Sequence, residues 1–393
     1  MAKPSSSSSS WVWFLSVAAL IHMCTALSSS SSSSRSYTAI YSFGDSIADT
    51  GNIYYDTEYI SPSIYTVRNP PYGETFFHHP TGRFSDGRLI IDFLAEQIGV
   101  PLLKPYLGIK NGKIKDWNSL EGVNFAFGGA TALDISFFIE KGIYDVVVPT
   151  NYSMGVQLDC FMELLPSICY NSSSGCKEVL GRSLFVVGEI GGNDFNYLFQ
   201  LGKTIEEART YVPLVINKIS WAINKLIDLG AQTLVVPGNF AIGCTFFYLT
   251  NFPSRDLEDY DGTGCLKSFN NFADYYNKQL LGELNRLQEL HSGVTIIYED
   301  YYHATLQLYQ SPSQFGFTKS ILDSCCPLVN ANNHNVAAKH CGEPGLITCN
   351  DPSQYISWDG VHLTEAAYKW IAKDLLQGPF TNPKIRISCD SDM

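Results

Sequence analysis

The chain has 393 residues, of which 45% are hydrophobic and 16% charged, a balance typical of a globular protein with a large core. Its formal net charge of −12 lacks the positive field that nucleic-acid binding requires, so no nucleic-acid partner is expected. No charged or Pro/Gly-rich linker divides the chain after its N-terminal tract, which predicts a single domain over residues 37–385.

The first 26 residues have the features of a secretory signal. Lys3 supplies a weakly positive start, and the apolar stretch 11–23 has the length of a signal core but is too short to span a bilayer. An uncleaved membrane anchor is the alternative. The serine-rich residues 27–36 predict a disordered tail, because they offer no side chains for a core. We therefore expect a protein without stable membrane insertion that enters the secretory pathway and reaches the extracellular space, the cell wall or the vacuole.

Short apolar segments alternate with amphipathic ones along the rest of the chain. The short segments are rich in β-branched and aromatic residues and predict strands over 39–43, 123–127, 184–190, 233–236 and 294–298. Apolar residues at helical spacing predict helices over 89–98, 211–229, 269–290 and 366–376, the second of which ends at Gly230. The alternation predicts an α/β fold with a parallel, five-stranded sheet between two helical layers.

Small and polar residues follow the first three predicted strands. They are Gly-Asp-Ser at 44–46, Gly-Gly at 128–129 and Gly-Gly-Asn-Asp at 191–194. Because the carboxyl ends of parallel strands meet at the same edge of a sheet, these distant segments are expected to form one site.

Ser46 is the candidate nucleophile, since Gly44 lets the backbone turn sharply and present the hydroxyl at this edge. A serine hydroxyl needs an adjacent base. His362 fits this role best, because Asp359 lies three residues ahead of it and Gly360 allows a tight turn. Taken alone, the Gly-Asp-Ser segment could also be an ordinary polar turn. The alternative for Asp359 and His362 is a surface Asp-His pair near the start of a helix.

An oxyanion hole requires amide donors at the same edge. The backbone amides of Ser46 and Gly129 and the side-chain amide of Asn193 are the candidates, with Gly128 as the alternative to Gly129. A packing glycine and a turn-forming asparagine are the alternative interpretations of Gly129 and Asn193.

Four segments together resemble the plant GDSL esterase/lipase family of the SGNH hydrolases: 43–46, 124–130, 191–194 and 359–362. The resemblance implies a flavodoxin-like three-layer sandwich. It also implies that Ser46 attacks an ester carbonyl, that His362 takes its proton and that Asp359 completes the triad. Gly129 and Asn193 are the remaining residues that give the superfamily its name. Neither a metal nor a cofactor is implied, and Ile47 replaces the usual leucine after the serine.

Within the plant branch, the chain looks closest to esterases of acetylated alkaloids and choline esters, so a small-molecule ester is the expected substrate. Two other functions stay open. One is acyl transfer to a sugar or lipid hydroxyl through the same acyl-enzyme, and the other is a non-catalytic, secreted glycan-binding or defence protein. The α/β-hydrolase class is disfavoured, since the chain contains no Gly-x-Ser-x-Gly motif. The sequence does not indicate an oligomeric state.

The segment 70–88 also resembles the plant branch and is expected in a loop at the rim of the active site. We favour a structural role for it, in which Arg83 and Arg88 pair with nearby acids and the aromatic residues pack.

Eleven cysteines are present, and ten remain once Cys24 leaves with the signal, which predicts disulfides in an oxidising compartment. Cys169 is expected to pair with Cys176, and Cys244 with Cys265. A metal site is the weaker alternative for a C-terminal group whose spacing matches no zinc pattern: Cys325, Cys326, Cys341 and Cys349, with His334 and His340 nearby. Asn151 and Asn171 begin the N-glycosylation sequons of an exported chain.

Overall fold

The computed structural model describes residues 37–57, 65–118, 120–142, 150–170, 175–326 and 340–386. Several features named above lie outside the described residues: the signal at 1–26, the serine-rich tract at 27–36, the sequon at Asn171, and His334. Within the described ranges, none of the helices combines the length and the apolar character needed to cross a bilayer.

A six-stranded sheet forms the middle layer. Its strands are β1 Ala39–Phe43, β2 Gly122–Asn124, β3 Ser183–Val187, β4 Thr233–Pro237, β5 Thr295–Glu299 and β6 Thr381–Asn382. They lie in the order β2-β1-β3-β4-β5-β6, and the first five are parallel. The predicted parallel sheet of flavodoxin type is thus confirmed. The two-residue β6 adds an antiparallel edge that is too short for any periodic pattern to reveal.

Helices cover both faces of the sheet, and the four predicted ones are confirmed. The second begins at Ile205, earlier than predicted, because Thr204 and Glu207 form a capping box, and it ends at Gly230 as expected. The helices are α1 Asn52–Tyr55, α2 Ile90–Ile98, α3 Tyr106–Lys110, α4 Ile135–Glu140, α5 Met154–Cys169, α6 Cys176–Gly181, α7 Gly192–Gln200, α8 Ile205–Leu229, α9 Phe246–Asn251, α10 Lys267–Leu290, α11 Tyr301–Gln310 and α12 Glu365–Gln377.

Two hydrophobic cores separate the three layers. Side chains alternate along each strand, so neighbouring strand residues point to opposite faces. Tyr41 and Phe185 pack against α5, α8 and α10 on one face, whereas Ile40 and Leu184 pack against α2, α11 and α12 on the other. With both faces covered in this way, the ends of the strands are the parts of the sheet left to carry a site.

The strand β2 is shorter than predicted because of the side chain of Asn124. This buried amide donates to the carbonyl of Ala48 at 2.6 Å and accepts from the amide of Ala126 at 2.8 Å. Local side-chain hydrogen bonds of this kind compete with the regular ladder of a sheet. The chain still follows β1, since the amide of Phe127 donates to the carbonyl of Gly44 at 3.1 Å.

The described residues contain four disulfides, in line with the prediction of an oxidised protein. Cys169 is joined to Cys176 and Cys244 to Cys265, the two pairs expected from the sequence. The four cysteines weighed as metal ligands instead form two disulfides, Cys325–Cys349 and Cys326–Cys341. Cys160 is the free thiol of the described cysteines, and burial raises its pKa to about 11.

Candidate active site

The turn that carries Ser46 is fixed from both sides where β1 ends. Gly44 has a φ of +141°, and a Cβ there would lie 3.0 Å from the carbonyl of Glu189, so the position requires glycine. Gln157 of α5 accepts from the amide of Gly44 at 2.9 Å and donates to its carbonyl at 2.8 Å. The turn therefore presents the Ser46 hydroxyl at the carboxyl edge of the sheet.

A continuous line of hydrogen bonds connects Ser46, His362 and Asp359. Nε2 of His362 lies 2.7 Å from Oγ of Ser46, and Nδ1 lies 2.7 Å from Oδ2 of Asp359. The serine and histidine are each only 7% exposed. The imidazole is thus placed to accept the hydroxyl proton, with a carboxylate on its other nitrogen.

The loop that carries Asp359 and His362 is a tight turn before α12, as the sequence predicts. Gly360 has a φ of +96°, which places it in the region that favours glycine. Oδ1 of Asp359 accepts the amides of Val361 at 3.1 Å and His362 at 2.8 Å, which closes the turn on the carboxylate. Thr364 then caps α12, accepting from the amide of Ala367.

The Asp359 carboxyl is buried but stays ionised. Burial by itself would raise its pKa, but the neighbouring His362 and hydrogen bonds from His362 and Tyr72 hold that pKa below its ordinary value. The hydroxyl of Tyr72 lies 2.8 Å from Oδ2 of Asp359. A carboxylate with this many donors orients the imidazole and stabilises its protonated form.

Asp49 ties the loop after β1 to the loop after β2. One carboxylate oxygen accepts the amides of Gly51 at 2.8 Å and Asn52 at 2.6 Å, and the other accepts those of Ile53 at 3.1 Å and Gly128 at 2.9 Å. The Gly128 amide is therefore occupied. Within the described ranges, the backbone amides of Ser46 and Gly129 have no protein acceptor. This favours Gly129 over Gly128 as an amide donor to a ligand.

The side-chain amide of Asn193 is near the nucleophile but already engaged. Its Nδ2 donates to Oδ2 of Asp45 and to the carbonyl of Ala130, both at 3.1 Å. Its Oδ1 accepts from Asn196 at 3.2 Å, and Asn196 in turn accepts from Tyr248 at 2.6 Å. To donate to an ester oxygen, Asn193 has to share or exchange one of these hydrogen bonds, as apo catalytic sites commonly do.

A buried pair of acids lies next to the nucleophile and was not anticipated from the sequence. Burial and the nearby Glu189 raise the pKa of Asp45, and burial raises that of Glu189. Two buried carboxyls this close disfavour each other's ionised form. Glu189 also accepts the amide of Gly192 at 3.1 Å, which links the pair to the start of α7.

The two arginines of the segment 70–88 pair with acids, as the sequence interpretation favoured. Arg83 forms a buried ion pair with Asp92 at 2.8 Å. Arg88 bridges Glu96 at 2.9 Å and Glu365 at 2.8 Å. The hydroxyl of Tyr72 in this segment also donates to Asp359. The two residues are 287 positions apart in the sequence, so no local pattern predicts this contact.

A serine, a histidine and an aspartate in line at the carboxyl edge of an open parallel sheet form the arrangement typical of serine hydrolases. Comparison with known proteins gives the family. Residues 40–375 match the model of the GDSL-like lipases/acylhydrolases, and the chain belongs to this family of carboxylic ester hydrolases.

Curated relatives come from Arabidopsis thaliana. The chain is 49% identical to GDSL esterase/lipase At1g28610 over 364 residues, covering 92% of this chain and 91% of the relative. It is 48% identical to GDSL esterase/lipase At2g27360 over 357 residues, covering 90% and 88%. Neither name states a substrate, so the resemblance to alkaloid and choline esterases stays a prediction.

Replacing Asp49 by asparagine is expected to destabilise the protein by about 3 kcal/mol, because two of the four backbone amides then face an NH2 group instead of an acceptor. Hydrolysis should fall as well, since Gly128 and Gly129 lose their anchor. Urea unfolding and ester turnover measure the two effects. Asp351→Asn is the control, since Asp351 caps an exposed turn and its replacement should leave stability within about 0.5 kcal/mol. Wild-type stability for Asp49→Asn would contradict the anchoring role.

Proposed function

We propose that the protein hydrolyses small-molecule carboxylic esters through a covalent acyl-enzyme on Ser46. The observation that carries the proposal is the 2.7 Å contact between Oγ of Ser46 and Nε2 of His362, with Asp359 on the other ring nitrogen. His362 accepts the hydroxyl proton as Oγ bonds to the ester carbonyl carbon. The imidazolium then protonates the departing alkoxide, and the alcohol leaves.

Water completes the cycle by the same acid–base steps. His362 takes a proton from a water molecule as its oxygen attacks the acyl carbonyl carbon. The imidazolium returns that proton to Oγ of Ser46 as the carboxylic acid departs. Asp359 remains a carboxylate throughout. This agrees with its lowered pKa, because the nearby His362 and the hydrogen bonds to the carboxylate outweigh the effect of burial.

The negative charge that develops on the carbonyl oxygen needs donors that are already in place. The amides of Ser46 and Gly129 fit this role, because neither donates to a protein acceptor within the described ranges. Asn193 is the third donor, after exchanging its contact with Asp45 or Ala130 for the oxyanion. Each such donor contributes about 3 kcal/mol to lowering the barrier.

Hydrolysis is preferred over the two alternatives. Acyl transfer uses the same acyl-enzyme with an alcohol in place of water, but the names of the relatives refer to esterase or lipase activity. A non-catalytic role would not require the three groups of the triad to stay in hydrogen-bonding contact. An acetyl ester of an alkaloid or of choline is the finer substrate prediction, and it rests on resemblance alone.

Export through the secretory pathway belongs to the same proposal. Four disulfides fit an oxidising compartment, and Asn151 is exposed, as a glycosylation acceptor must be. Expression in plant cells should therefore yield protein in the extracellular space, the cell wall or the vacuole that begins after Ala26 and loses mass on deglycosylation. N-terminal sequencing and mass spectrometry measure both, and intracellular protein that retains Lys3 would contradict export.

Replacing Ser46 by alanine should reduce ester hydrolysis on the order of a million-fold while leaving the fold intact, because the triad loses its nucleophile. A fluorophosphonate probe should label wild-type protein at Ser46 and leave the variant unlabelled. Ser42→Ala is the matched control, since Ser42 is a buried serine of β1, the strand that leads to Ser46, and its hydroxyl has no partner among the described residues. Substantial hydrolysis by Ser46→Ala, or labelling elsewhere, would refute the assignment.

A further inference from the structure

The hydroxyl of Tyr72 is a fixed donor to the acid of the triad. It lies 2.8 Å from Oδ2 of Asp359, and the tyrosine is only 4% exposed. An ionised carboxylate only accepts hydrogen bonds, so the tyrosine donates. Burial and repulsion by Asp359 raise the pKa of Tyr72, which therefore keeps its proton.

We propose that Tyr72 is a positioning residue for ester hydrolysis, whose hydroxyl orients Asp359 and limits the attraction of that carboxylate for the imidazolium of His362. The inference rests on the proposed function of Ser46 and His362. It assigns a role to the segment 70–88 beyond the structural one favoured by its sequence.

The two carboxylate oxygens of Asp359 accept hydrogen bonds from different donors, and the hydroxyl of Tyr72 is one of the two donors to Oδ2 among the described residues. Oδ1 is held by the backbone amides of Val361 and His362 and lies 2.9 Å from Nδ1 of His362. Oδ2 lies 2.7 Å from that same nitrogen and also accepts the hydroxyl of Tyr72. Without the tyrosine, the imidazole would be the only strong donor to Oδ2 among the residues that the structure describes. The carboxylate would then be less constrained and more strongly paired with the imidazolium.

Tyr72 is itself held by aromatic packing that reaches the imidazole. Its ring lies edge-on to Trp358 at 6.0 Å and to Phe84 at 6.4 Å between ring centroids. Phe84 packs on the ring of His362 at 4.5 Å. Residues of the segment 70–88 therefore contact both the acid and the base. Their packing helps to position Asp359 and His362.

The same segment is anchored at the start of α12, directly after the loop that carries the triad residues. Asp86 accepts the amide of Glu365 at 2.7 Å, and Arg88 pairs with the side chain of Glu365 at 2.8 Å. The segment is therefore attached to the Asp359–His362 loop at a second point, which keeps the hydroxyl of Tyr72 within reach of the carboxylate.

Removing the hydroxyl changes the pH dependence in one direction. With one donor fewer, the Asp359 carboxylate keeps more negative charge for the imidazolium, so His362 stays protonated to higher pH. Since catalysis needs the neutral imidazole, the acidic limb of kcat/KM moves to higher pH. A purely structural tyrosine would lower the rate without moving this limb.

Other titratable groups around the pair are the same in wild type and variant. Tyr368 of α12 faces the Asp359 carboxyl, and burial raises its pKa, so it remains neutral. Asp86 faces the amide of Glu365, and burial raises its pKa to about 6. Burial and the nearby Glu189 raise the pKa of Asp45, which follows β1. A comparison of the two proteins therefore isolates the contribution of the hydroxyl.

The test is Tyr72→Phe, which removes only the hydroxyl. We expect kcat to fall about tenfold, as for one net hydrogen bond to a charged group, with KM unchanged and the acidic limb of kcat/KM at higher pH. Tyr106→Phe is the matched control. Tyr106 is 3% exposed and also donates to a carboxylate at 2.8 Å, that of Glu163 on α5, so its replacement should leave the rate and the pH profile unchanged.

Two results would overturn the proposal: wild-type kcat and pH profile for Tyr72→Phe, or a lower kcat with an unmoved acidic limb. If Tyr72→Phe does not fold, a ring-fluorinated tyrosine at position 72 keeps the packing and strengthens the donor. The limb should then move to lower pH, and an unmoved limb would refute the proposal. Fluorophosphonate labelling of Ser46 distinguishes a failure of the role of Tyr72 from a failure of the proposed function. If Ser46 of the wild-type protein is not labelled, the proposed function itself is refuted.

Discussion

The pairing of β1 between two parallel neighbours determines where the polar groups of the site lie. Ser42 of β1 is in register with Asn124 of β2, and Phe43 with Val187 of β3, so three strands end at the same level of the sheet. The Ser46 turn, the Gly128-Gly129 loop and the start of α7 consequently lie side by side. Asp49 then connects the first loop to the second by accepting the amide of Gly128, and Asp45 connects it to α7 by accepting from Asn193.

The base and the acid reach this edge from the other end of the chain, and they are held there from two sides. On one side, the amide of Cys326 and the hydroxyl of Ser324 donate to the carbonyl of Trp358 at 2.7 and 2.8 Å. Cys326 is itself fixed by a disulfide to Cys341. On the other side lies the aromatic packing of Tyr72 and Phe84. The Cys326–Cys341 disulfide therefore helps to hold Trp358, and with it the neighbouring Asp359, in place.

Local sequence patterns predicted the five parallel strands and four of the helices, but not α5, α11 or the long-range contacts between buried polar groups. The strands follow from short apolar runs and the four helices from apolar residues at helical spacing, and the Asp359-Gly360 turn follows from residue type. The roles of Gln157, Asp49 and Tyr72 could not be predicted, because each depends on a hydrogen bond to a residue far away in the sequence or to backbone amides. Asn193 was expected as an oxyanion-hole donor, and its hydrogen bonds to Asp45 and Ala130 become visible only once three loops are packed together.

The proposed catalysis depends most on the convergence of a nucleophile, a base and amide donors at this edge. The most direct measurement is a crystal structure of the protein inhibited with a phosphonate ester, whose tetrahedral adduct mimics the reaction intermediate. We predict phosphorus bonded to Oγ of Ser46, and one phosphonyl oxygen about 3 Å from the amides of Ser46 and Gly129 and from Nδ2 of Asn193. An adduct on another residue, or a phosphonyl oxygen that points to solvent away from these donors, would contradict it.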